Sequence, residues 1–339
     1  MKYFLILLAL PFQSLIGSTF EEGIENQGIV IATKRLVFDR FPDAFNPSMI
    51  KTEAGYLLTF RYCPDRWYSP CLSYIGIALL DDDFNLLSEP TLLNTRFFNS
   101  KTPSQAEDAR IFSYRGRLFL IYNDNPDVVS PSNWERRDMF IAELFYNDEE
   151  FSFSFPVRLC YEERYNSVLW QKNWVPFEWN KTLLLSYAIN PQEIIYPNLK
   201  NGSCFRCYET FAQMDWDFGT LRGSSAAEIV DGEYLAFFHS GSYLSSSASS
   251  GQNLWHYFMG AYTFSAEPPF QVTKISPMPI VAEGFYVESH CEKRVIFPGG
   301  YVVDGSKIYL AYGKDDCEIW IATLDKEALK SSLVPVESR

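Results

Sequence analysis

Residues 105–122 read QAEDARIFSYRGRLFLIY, which is the pattern of a β-hairpin. Arg115-Gly116-Arg117 predicts a tight turn, because glycine tolerates a positive φ. The run 118–122 after the turn is rich in branched and aromatic side chains, as strands are. The run 109–112 before the turn is a second strand candidate. Two short strands joined by a turn therefore form the unit from which the fold is predicted.

Three charged residues, Glu107, Asp108 and Arg110, stand where the first strand of this hairpin begins. Two adjacent acids and an arginine at the start of a buried strand are costly to desolvate unless they are paired or used in chemistry. The alternative is a solvated loop that holds an incidental ion pair. The hairpin is thus also the first candidate for a functional site.

The same unit of a turn followed by an apolar, aromatic strand occurs five times, at intervals of roughly 50 to 75 residues. The five strands are 55–62, 116–122, 181–187, 232–239 and 305–313. Strand-like runs precede them at 47–51, 109–113, 174–177, 225–230 and 295–303, and others follow at 73–80, 138–144, near 210–215, 255–264 and 318–324. The repeat predicts an all-β chain folded as a five-bladed β-propeller.

Further segments complete this prediction. Fourth strands are expected at 153–159 and 270–275, and the run 25–38 is expected to close the last blade. Helical periodicity is found only at 326–331. An ordinary β-sandwich, or two separate β domains, is the alternative architecture.

Composition narrows the class of partner. Aromatic residues make up 17% and hydrophobic residues 47% of the 339-residue chain, which excludes a disordered protein. The formal net charge is -13, which disfavours nucleic acid and anionic lipid as partners. A neutral ligand such as a sugar fits this charge better.

The N-terminus has the pattern of a secretory leader. Met1-Lys2 gives a short positive start, residues 3–12 are apolar, and Gly17-Ser18 provides small residues for cleavage. We therefore expect residues 1–18 to be a signal peptide and residues 19–339 to form one catalytic propeller domain. The protein is expected to be secreted or extracytoplasmic, in a periplasm or a secretory lumen, without stable membrane insertion. An uncleaved anchor or a buried first strand is the alternative.

Seven cysteines fit an oxidising compartment without defining a pairing: Cys63, Cys71, Cys160, Cys204, Cys207, Cys291 and Cys317. Cys204 and Cys207 form a C-x-x-C, interpreted as a local disulfide or as two free thiols. Cys63 with Cys71 and Cys291 with Cys317 are further candidate pairs. With one such motif and three histidines in the chain, no metal site is predicted.

In a propeller, the first strand of each blade lines the central channel. Polar residues at the starts of these strands should therefore meet although they are far apart in sequence. The predicted set is Asn46, Ser48, Asp108, Arg110, Lys172, Asn173, Arg222 and Ser224, beside Phe297-Pro298. Convergence of this kind in a concave pocket is what a small-molecule site requires.

The motifs at these positions resemble those of glycoside hydrolase family 130, the β-mannoside phosphorylases and their hydrolytic relatives. The matching stretches are FNPS at 45–48, EDAR at 107–110, KNWVPF at 172–177, LRGS at 221–224, VIFPGG at 295–300 and YGKDD at 312–316. The sequence departs from the family pattern at Ala109, where the family has proline, and at Ser224-Ser225 and 313–317. The resemblance covers nearly the whole chain after the leader and implies a divergent member.

The resemblance implies an inverting single displacement on β-mannosides or related oligosaccharides, with Asp108 as general acid. Glu107 would raise the pKa of Asp108 and help to keep it protonated, while Arg110 would oppose that. The implied substrate-binding residues are Asn46, Ser48, Arg61, Glu107, Arg110, Asn123, Lys172, Arg222, His239 and Asp316. No cofactor is expected, apart from inorganic phosphate as co-substrate in a phosphorylase.

The nucleophile is left open. Phosphate would be held by residues from the set Arg136, Arg137, Lys172, Arg222 and His239, whereas a hydrolase needs a carboxylate base such as Glu209, Glu228, Glu283 or Asp316. The predicted export favours hydrolysis over phosphorolysis. A related β-mannosyltransferase and a non-catalytic glycan-binding propeller are the alternatives. Stacking on a sugar is open to Trp67, Trp174, Tyr187, Tyr257 and Tyr262, as is simple packing.

Overall fold

The computed structural model describes residues 28–65, 72–95, 104–125, 136–147, 150–165, 170–245, 251–287 and 293–338. Its strands are β1 Val30–Leu36, β2 Phe45–Thr52, β3 Gly55–Tyr62, β4 Tyr74–Leu80, β5 Thr91–Leu92, β6 Glu107–Tyr114, β7 Arg117–Asp124, β8 Asp138–Asn147, β9 Glu150–Phe153, β10 Val157–Tyr161, β11 Val175–Trp179, β12 Thr182–Ile189, β13 Gln192–Pro197, β14 Ser203–Thr210, β15 Ala212–Gln213, β16 Thr220–Gly223, β17 Glu228–Val230, β18 Glu233–Ser245, β19 Asn253–Ser265, β20 Val272–Ile275, β21 Lys293–Asp304, β22 Lys307–Lys314, β23 Glu318–Asp325, β24 Val334–Pro335 and β25 Glu337–Ser338. Within these ranges the helices are α1 Glu162–Tyr165 and α2 Lys326–Ser332. The predicted all-β class is confirmed.

Antiparallel pairing gathers the long strands into groups that follow the chain. The first strand group is β2 to β5, the second is β6 to β10, and the third is β11 to β14. The fourth is β16 to β20, and the fifth is β21 to β23 with β1. Short parallel contacts between β10 and β14, and between β19 and β21, join neighbouring groups into larger sheets.

The N-terminal strand completes the fifth group. Strand β1 pairs antiparallel with β23 from Val30↔Leu324 to Leu36↔Ile319. The prediction that the run 25–38 closes the last strand set is confirmed for its described part. Residues 1–18, the predicted leader, lie outside the described residues. The first described strand is thereby held in one sheet with the last long strand, β23.

Apolar side chains fill the spaces between successive groups. Each space has its own cluster of buried residues, in which the two flanking groups meet. Representative pairs are Leu57 with Leu120, Ile121 with Leu185, Phe177 with Phe264, Phe237 with Tyr301, and Ile321 with Phe60. The last pair joins the fifth group to the first. Burial of these side chains is the main source of stability between the groups.

The first strands of the fifth and first groups touch without intervening side chains. A Cβ on Gly299 of β21 would lie 1.8 Å from the carbonyl oxygen of Pro47 in β2. A side chain there would collide with backbone, so glycine is required at this contact. The VIFPGG motif therefore has a packing role beside the site.

The third repeat was predicted incorrectly. Its third strand was placed near 210–215, but the chain forms β13 and β14 earlier and only the two-residue strand β15 in that region. Most side chains of β14 are exposed or half-buried, so the alternation of apolar and polar residues that marks a strand is weak there. The strand predicted at 225–230, in the fourth repeat, also differs. Two short strands, β16 and β17, pair with β18 there, and residues 224–227 separate them.

Cys204 and Cys207 are both free thiols, Cys204 buried and Cys207 exposed. The local disulfide is therefore wrong and the interpretation as two thiols is confirmed. Burial raises the pKa of the Cys204 thiol to about 12, which makes it unreactive. The candidate partners Cys71 and Cys291 lie outside the described residues. Within the described ranges, no helix has both the length and the apolar character needed to cross a bilayer.

Candidate functional site

Glu107, at the start of β6, is surrounded by three cations. Its Oε1 lies 2.7 Å from Nη2 of Arg61 and 2.9 Å from Nη2 of Arg137, and its Oε2 lies 2.7 Å from Nζ of Lys172. Only 3% of the residue is exposed. Burial raises the pKa of Glu107, but the three positive charges outweigh burial and hold it below the ordinary value. Glu107 is therefore a fixed anion that organises cations from the first, second and third strand groups.

Asp108 lies beside this anion and is also ionised in the free protein. Its Oδ1 accepts a 3.0 Å hydrogen bond from Nδ2 of Asn46 and lies 3.6 Å from Nη1 of Arg61. Burial raises the pKa of Asp108, but the charges of Arg61, Lys172 and Arg110 and the Asn46 hydrogen bond together lower it. The expectation that Glu107 keeps Asp108 protonated is wrong for the free protein, because the surrounding cations outweigh that carboxylate.

Arg110 is a cation buried among neutral oxygens. It donates from Nε to the Ser224 carbonyl at 2.6 Å, from Nη1 to the Asp108 carbonyl at 2.8 Å and from Nη2 to Oδ1 of Asn173 at 2.9 Å. It is 1% exposed and lies over the ring of Phe297. Burial lowers its pKa to about 10, and Asp108 partly offsets this effect. Among the described residues, no carboxylate reaches the guanidinium of Arg110. Its charge is thus available to stabilise an anion nearby.

The backbone aims the key side chains by one recurring device. Asn46, Asp108 and Asn173 have φ values of 47°, 52° and 66°, in the left-handed region. The pairing register shifts at the first two, between Phe45 and Ser48 and between Glu107 and Arg110. Asn and Asp tolerate this conformation better than other non-glycine residues do. A bulge at the start of a first strand therefore turns each of these side chains toward the others.

A cavity of about 460 Å³ opens beside this cluster, between the third and fourth strand groups. Its wall includes Lys172, Asn173, Tyr187 and Arg222. Arg222 is exposed, and among the described residues it has no ion-pair partner. The side walls are completed by Trp170, Gln171, Trp174, Ala188, Thr220, Leu221 and Gly223. The cavity is concave and partly aromatic, as sites for small ligands are.

His239 lies beside the cavity-wall residue Arg222, with which it is paired across β16 and β18. Its Nδ1 lies 2.6 Å from Oγ of Ser224, and the residue is 2% exposed. Burial and the charges of Arg222, Arg110 and Lys172 hold the pKa of His239 well below its ordinary value. His239 is therefore neutral at physiological pH, able to exchange hydrogen bonds but not to pair with an anion as a cation.

The predicted convergence of first-strand residues is confirmed by these contacts. Two members of the predicted substrate-binding set have inward structural bonds instead. Oγ of Ser48 accepts the Ile111 N–H at 3.1 Å, which ties β2 to β6. Asn123 donates to the Glu107 carbonyl and accepts from Arg137, both at 3.4 Å. These two residues hold the strands and ions of the site in position.

Asp316 is nearer to the rim. It has a φ of 57° and pairs with Lys293 at 2.9 Å, and it contributes to the electrostatic environment of Arg61. This position fits its assignment to sugar binding better than a role as base. Of the other base candidates, Glu209 pairs with Arg206 on β14, and Glu228 lies four residues beyond Ser224 on β17. Glu283 is exposed after β20.

The residues predicted to bind phosphate fall into two groups, those held in ion pairs away from the cavity and those that line it. Arg137 is bound to Glu107 and to the Gln105 carbonyl, and Arg136 pairs with Asp138 under the ring of Tyr165. Lys172 and Arg222 line the cavity. No group of three or more His, Cys, Asp or Glu side chains suited to a metal ion occurs in the described part of the chain.

The exposure of the predicted aromatic residues shows which of them could stack on a sugar. Tyr262 is 0% exposed and packs in the interior, and Trp174, although it contributes to the cavity wall, is 1% exposed. Tyr187 lines the cavity, and Tyr257 is half-buried beside His239. Trp67 lies outside the described residues. The sequence missed Trp170 and Gln171 as cavity walls. The sequence could have indicated them because they directly precede Lys172, the first residue of the KNWVPF motif.

Known proteins resemble this chain in a family model and in fold. The model of glycoside hydrolase family 130, described as β-1,4-mannooligosaccharide phosphorylase, matches residues 33–332. A search of curated protein sequences found no match. Among solved structures, a putative glycosidase from Bacteroides thetaiotaomicron is similar with a TM-score of 0.61 and 14% identity, over 90% of this chain and 95% of that one.

Two further structures bear the family's name or activity. The β-1,2-mannobiose phosphorylase from Listeria innocua, in complex with β-1,2-mannobiose, has a TM-score of 0.57 and 15% identity, over 91% of this chain and 97% of that one. The other comes from work on this family, described as mannoside phosphorylases that include glycoside hydrolases targeting β-1,2 mannosidic linkages in Candida mannan. It has a TM-score of 0.58 and 14% identity, over 84% of this chain and 85% of that one. At these identities the structures show a shared fold.

Proposed function

Because the chain belongs to glycoside hydrolase family 130, whose members include mannoside phosphorylases and glycoside hydrolases, we propose that it cleaves β-mannosides or related oligosaccharides with phosphate as the nucleophile. The reaction is a single displacement that inverts the anomeric carbon. The observation that carries this proposal is the excess of positive charge around Glu107 and Asp108. A glycan is the macromolecular partner, and no cofactor beyond inorganic phosphate is required.

The architecture proposed for this activity is a five-bladed propeller in one catalytic domain. Each strand group would be one blade, and β1 would close the fifth blade. The clusters shared between successive groups, and between the fifth and the first, support this arrangement. The first strands β2, β6, β11, β16 and β21 would then surround the site.

The charge balance favours phosphate over water. Four cations lie close to the two carboxylates Glu107 and Asp108: Arg61, Arg110, Arg137 and Lys172. Arg222 lies on the cavity wall. The chain as a whole has a net charge of -13, so this concentration of cations is local. The positive charges outnumber the two carboxylates, so the cluster can accept a further anion through charge-assisted hydrogen bonds. Lys172 and Arg222, on the cavity wall, are the proposed phosphate ligands, with neutral His239 as a hydrogen-bond donor.

A hydrolase would need a second carboxylate to activate water on the face opposite the acid. Among the described residues, the carboxylates in contact with the cluster are Glu107 and Asp108, and Glu107 is bound by three cations. The preference for hydrolysis drawn from the sequence rested on the predicted export alone. The charges of the site support phosphorolysis instead.

Asp108 is proposed as the general acid. A phosphate oxygen attacks the anomeric carbon, the bond from that carbon to the glycosidic oxygen breaks, and the oxygen takes the proton of Asp108. The products are α-mannose 1-phosphate and the shortened sugar. Since Asp108 is ionised in the free protein, the proton must be taken up as the ligands bind. Phosphate binding favours this uptake, because it neutralises the cations that hold the pKa of Asp108 down.

We further propose that the mature protein acts outside the cytoplasm, since residues 1–18 have the pattern of a secretory leader. The sugar-binding residues would be Asn46, Arg61 and Asn173 around the anomeric carbon and Asp316 at the rim, with Tyr187 as the aromatic wall. Ser48, Asn123 and Glu107 would position them.

The test is turnover of β-mannobioses of each linkage, with and without phosphate, by the wild type and by Arg222→Gln. We expect phosphate-dependent turnover and a rise of about tenfold or more in the KM for phosphate in the variant. Arg206→Gln, which changes an exposed arginine on β14, is the matched control and should leave this KM unchanged. Equal turnover in the absence of phosphate would overturn the proposal in favour of hydrolysis. Transfer from mannose 1-phosphate with no cleavage would favour a transferase.

A further inference from the structure

The hairpin of β18 and β19 extends beyond the site. Both strands have 13 residues, and their pairing continues from His239↔Met259 outward to Ser245↔Asn253. Strand β16 accompanies β18 only as far as Thr220↔Gly241. The outer part of the hairpin therefore projects past the neighbouring strand β16, which lines the cavity.

One face of this projecting hairpin is aromatic. Side chains alternate along a strand, so His239, Gly241 and Tyr243 share a face of β18 with their neighbours Tyr257 and Trp255 on β19. The ring centroids of His239 and Tyr257 are 5.0 Å apart, those of Tyr257 and Trp255 are 5.8 Å apart, and those of Trp255 and Tyr243 are 4.8 Å apart. The rings form a continuous row from the site to the outer hairpin, named here the aromatic row.

Gly241 allows this row to lie flat on the sheet. A Cβ at this residue would be 2.5 Å from the Trp255 ring and 2.9 Å from the Tyr257 ring. Both rings therefore occupy the space over the Gly241 backbone. A side chain at Gly241 would push them away from the sheet and break the row.

The row remains accessible to a ligand. Tyr243 is 64% exposed, and Trp255 and Tyr257 are half-buried. On the other side of β19, Lys293 of β21 is paired with Trp255, and it forms its ion pair with Asp316 at the rim of the site. An aromatic floor flanked by hydrogen-bonding side chains presents both surfaces that a pyranose ring offers, its apolar face and its hydroxyl edge.

We propose that the aromatic row binds the sugar units that extend beyond the two joined by the scissile bond, so that the protein prefers oligosaccharides of three or more units. This inference rests on the proposed function. The row starts at His239, whose ring also packs on Phe297 beside Arg110, and it leads outward to the exposed Tyr243. A substrate that continues beyond the cleaved disaccharide can follow the row outward and stack on it.

Because the side chains of the aromatic row are uncharged, the row favours a neutral ligand. Tyr243, Trp255, Tyr257 and Gly241 carry no charge, and Lys293, which is paired with Trp255 across the strands, is neutralised by Asp316. An extended anion such as a nucleic acid would find no cation row here. A neutral glycan loses little hydration on an aromatic surface and keeps its hydroxyls for the flanking polar groups.

The test measures binding rather than turnover, in the inactive Asp108→Asn background. Dissociation constants for a disaccharide, a trisaccharide and a tetrasaccharide of the cleaved linkage are determined by calorimetry, with and without Trp255→Ala. We expect affinity to rise with length in the background protein, and Trp255→Ala to weaken tetrasaccharide binding by about tenfold while changing disaccharide binding less than about twofold. Tyr243→Ala should act on the tetrasaccharide in the same way.

Tyr196→Ala is the matched control, because Tyr196 is an exposed tyrosine on β13, away from the row. It should leave all three affinities unchanged. Affinity that does not increase with length, or an equal loss for all lengths in Trp255→Ala, would overturn the inference. A failure of the proposed function is distinguishable, because it appears as the absence of phosphate-dependent turnover by the wild-type protein. Melting temperatures of the variants separate lost binding from lost folding.

Discussion

Nδ2 of Asn46 lies 3.0 Å from Oδ1 of Asp108, and this hydrogen bond joins the first strand group to the second. Both residues are in the left-handed region of backbone conformation, with φ values of 47° and 52°. The bond stabilises the charged form of Asp108 and helps to lower its pKa. The same contact thus orients the proposed acid and sets its ionisation.

Replacing Asn46 by alanine should therefore move the pH profile. Loss of the hydrogen bond raises the pKa of Asp108, so the alkaline limb of kcat/KM shifts to higher pH in Asn46→Ala. Asn180→Ala is the matched control, because Asn180 has the same φ of 47° but lies in an exposed turn of another strand group. Both variants lose about 1 kcal/mol of stability from backbone strain. An unshifted limb in Asn46→Ala would contradict the role given to this bond.

Glu107 holds three cations, so its neutralisation should be costly. Glu107→Gln leaves Arg61, Arg137 and Lys172 without their shared carboxylate, and we expect a loss of about 3–5 kcal/mol in the free energy of unfolding at pH 7. Urea denaturation measures this loss. The control is Glu143→Gln, whose partner Arg117 is mostly exposed, with an expected change of less than about 1 kcal/mol. Equal losses in the two variants would refute the central position of Glu107.

The sign of the pH effect follows from the direction of the Glu107 shift. Its folded-state pKa lies below the ordinary value of 4.5, so its contribution is fully present above pH 4.5. That contribution decreases as the pH falls from there through the folded-state pKa. The wild-type protein should therefore lose stability in this acid range more steeply than Glu107→Gln does.

His239 should give the stability of the protein a second pH dependence, at higher pH than that of Glu107. Its folded-state pKa lies well below the ordinary value of 6.5, so the unfolded chain takes up a proton that the folded chain refuses. Stability is therefore greatest above pH 6.5 and decreases as the pH falls below it. In His239→Gln the decrease in melting temperature between pH 7 and pH 5 should be smaller. His256→Gln is the comparison, since burial lowers the pKa of this buried ring as well, away from the cluster. A slope unchanged in His239→Gln would contradict the burial of a neutral imidazole.

Much of the fold was predictable because local patterns are strong. Strand β3 has the predicted bounds, Gly55–Tyr62, since its turn glycine and apolar run are unambiguous. Strand β18 was predicted to end at His239, because Gly241 and its neighbouring serines have the composition of a loop. In the structure the strand continues to Ser245. The aromatic row could therefore not be predicted from the sequence.

The ionisation of the site was not predictable for a different reason. The sequence shows the neighbours of Asp108 along the chain, Glu107 and Arg110, and their opposing effects. Arg61 and Lys172 are distant in sequence and reach the carboxylates only through the packing of three strand groups. The sequence gives the residue types of the site, whereas their balance of charge depends on the contacts formed by folding.

The most direct test of phosphate-dependent cleavage is to follow the reaction of a β-mannobiose by phosphorus and proton NMR, with and without inorganic phosphate. The wild-type protein should produce mannose 1-phosphate in the α configuration only when phosphate is present. Asp108→Asn should react at least about 100-fold more slowly. Release of free mannose at the same rate without phosphate, or a β-configured product, would contradict the proposed mechanism.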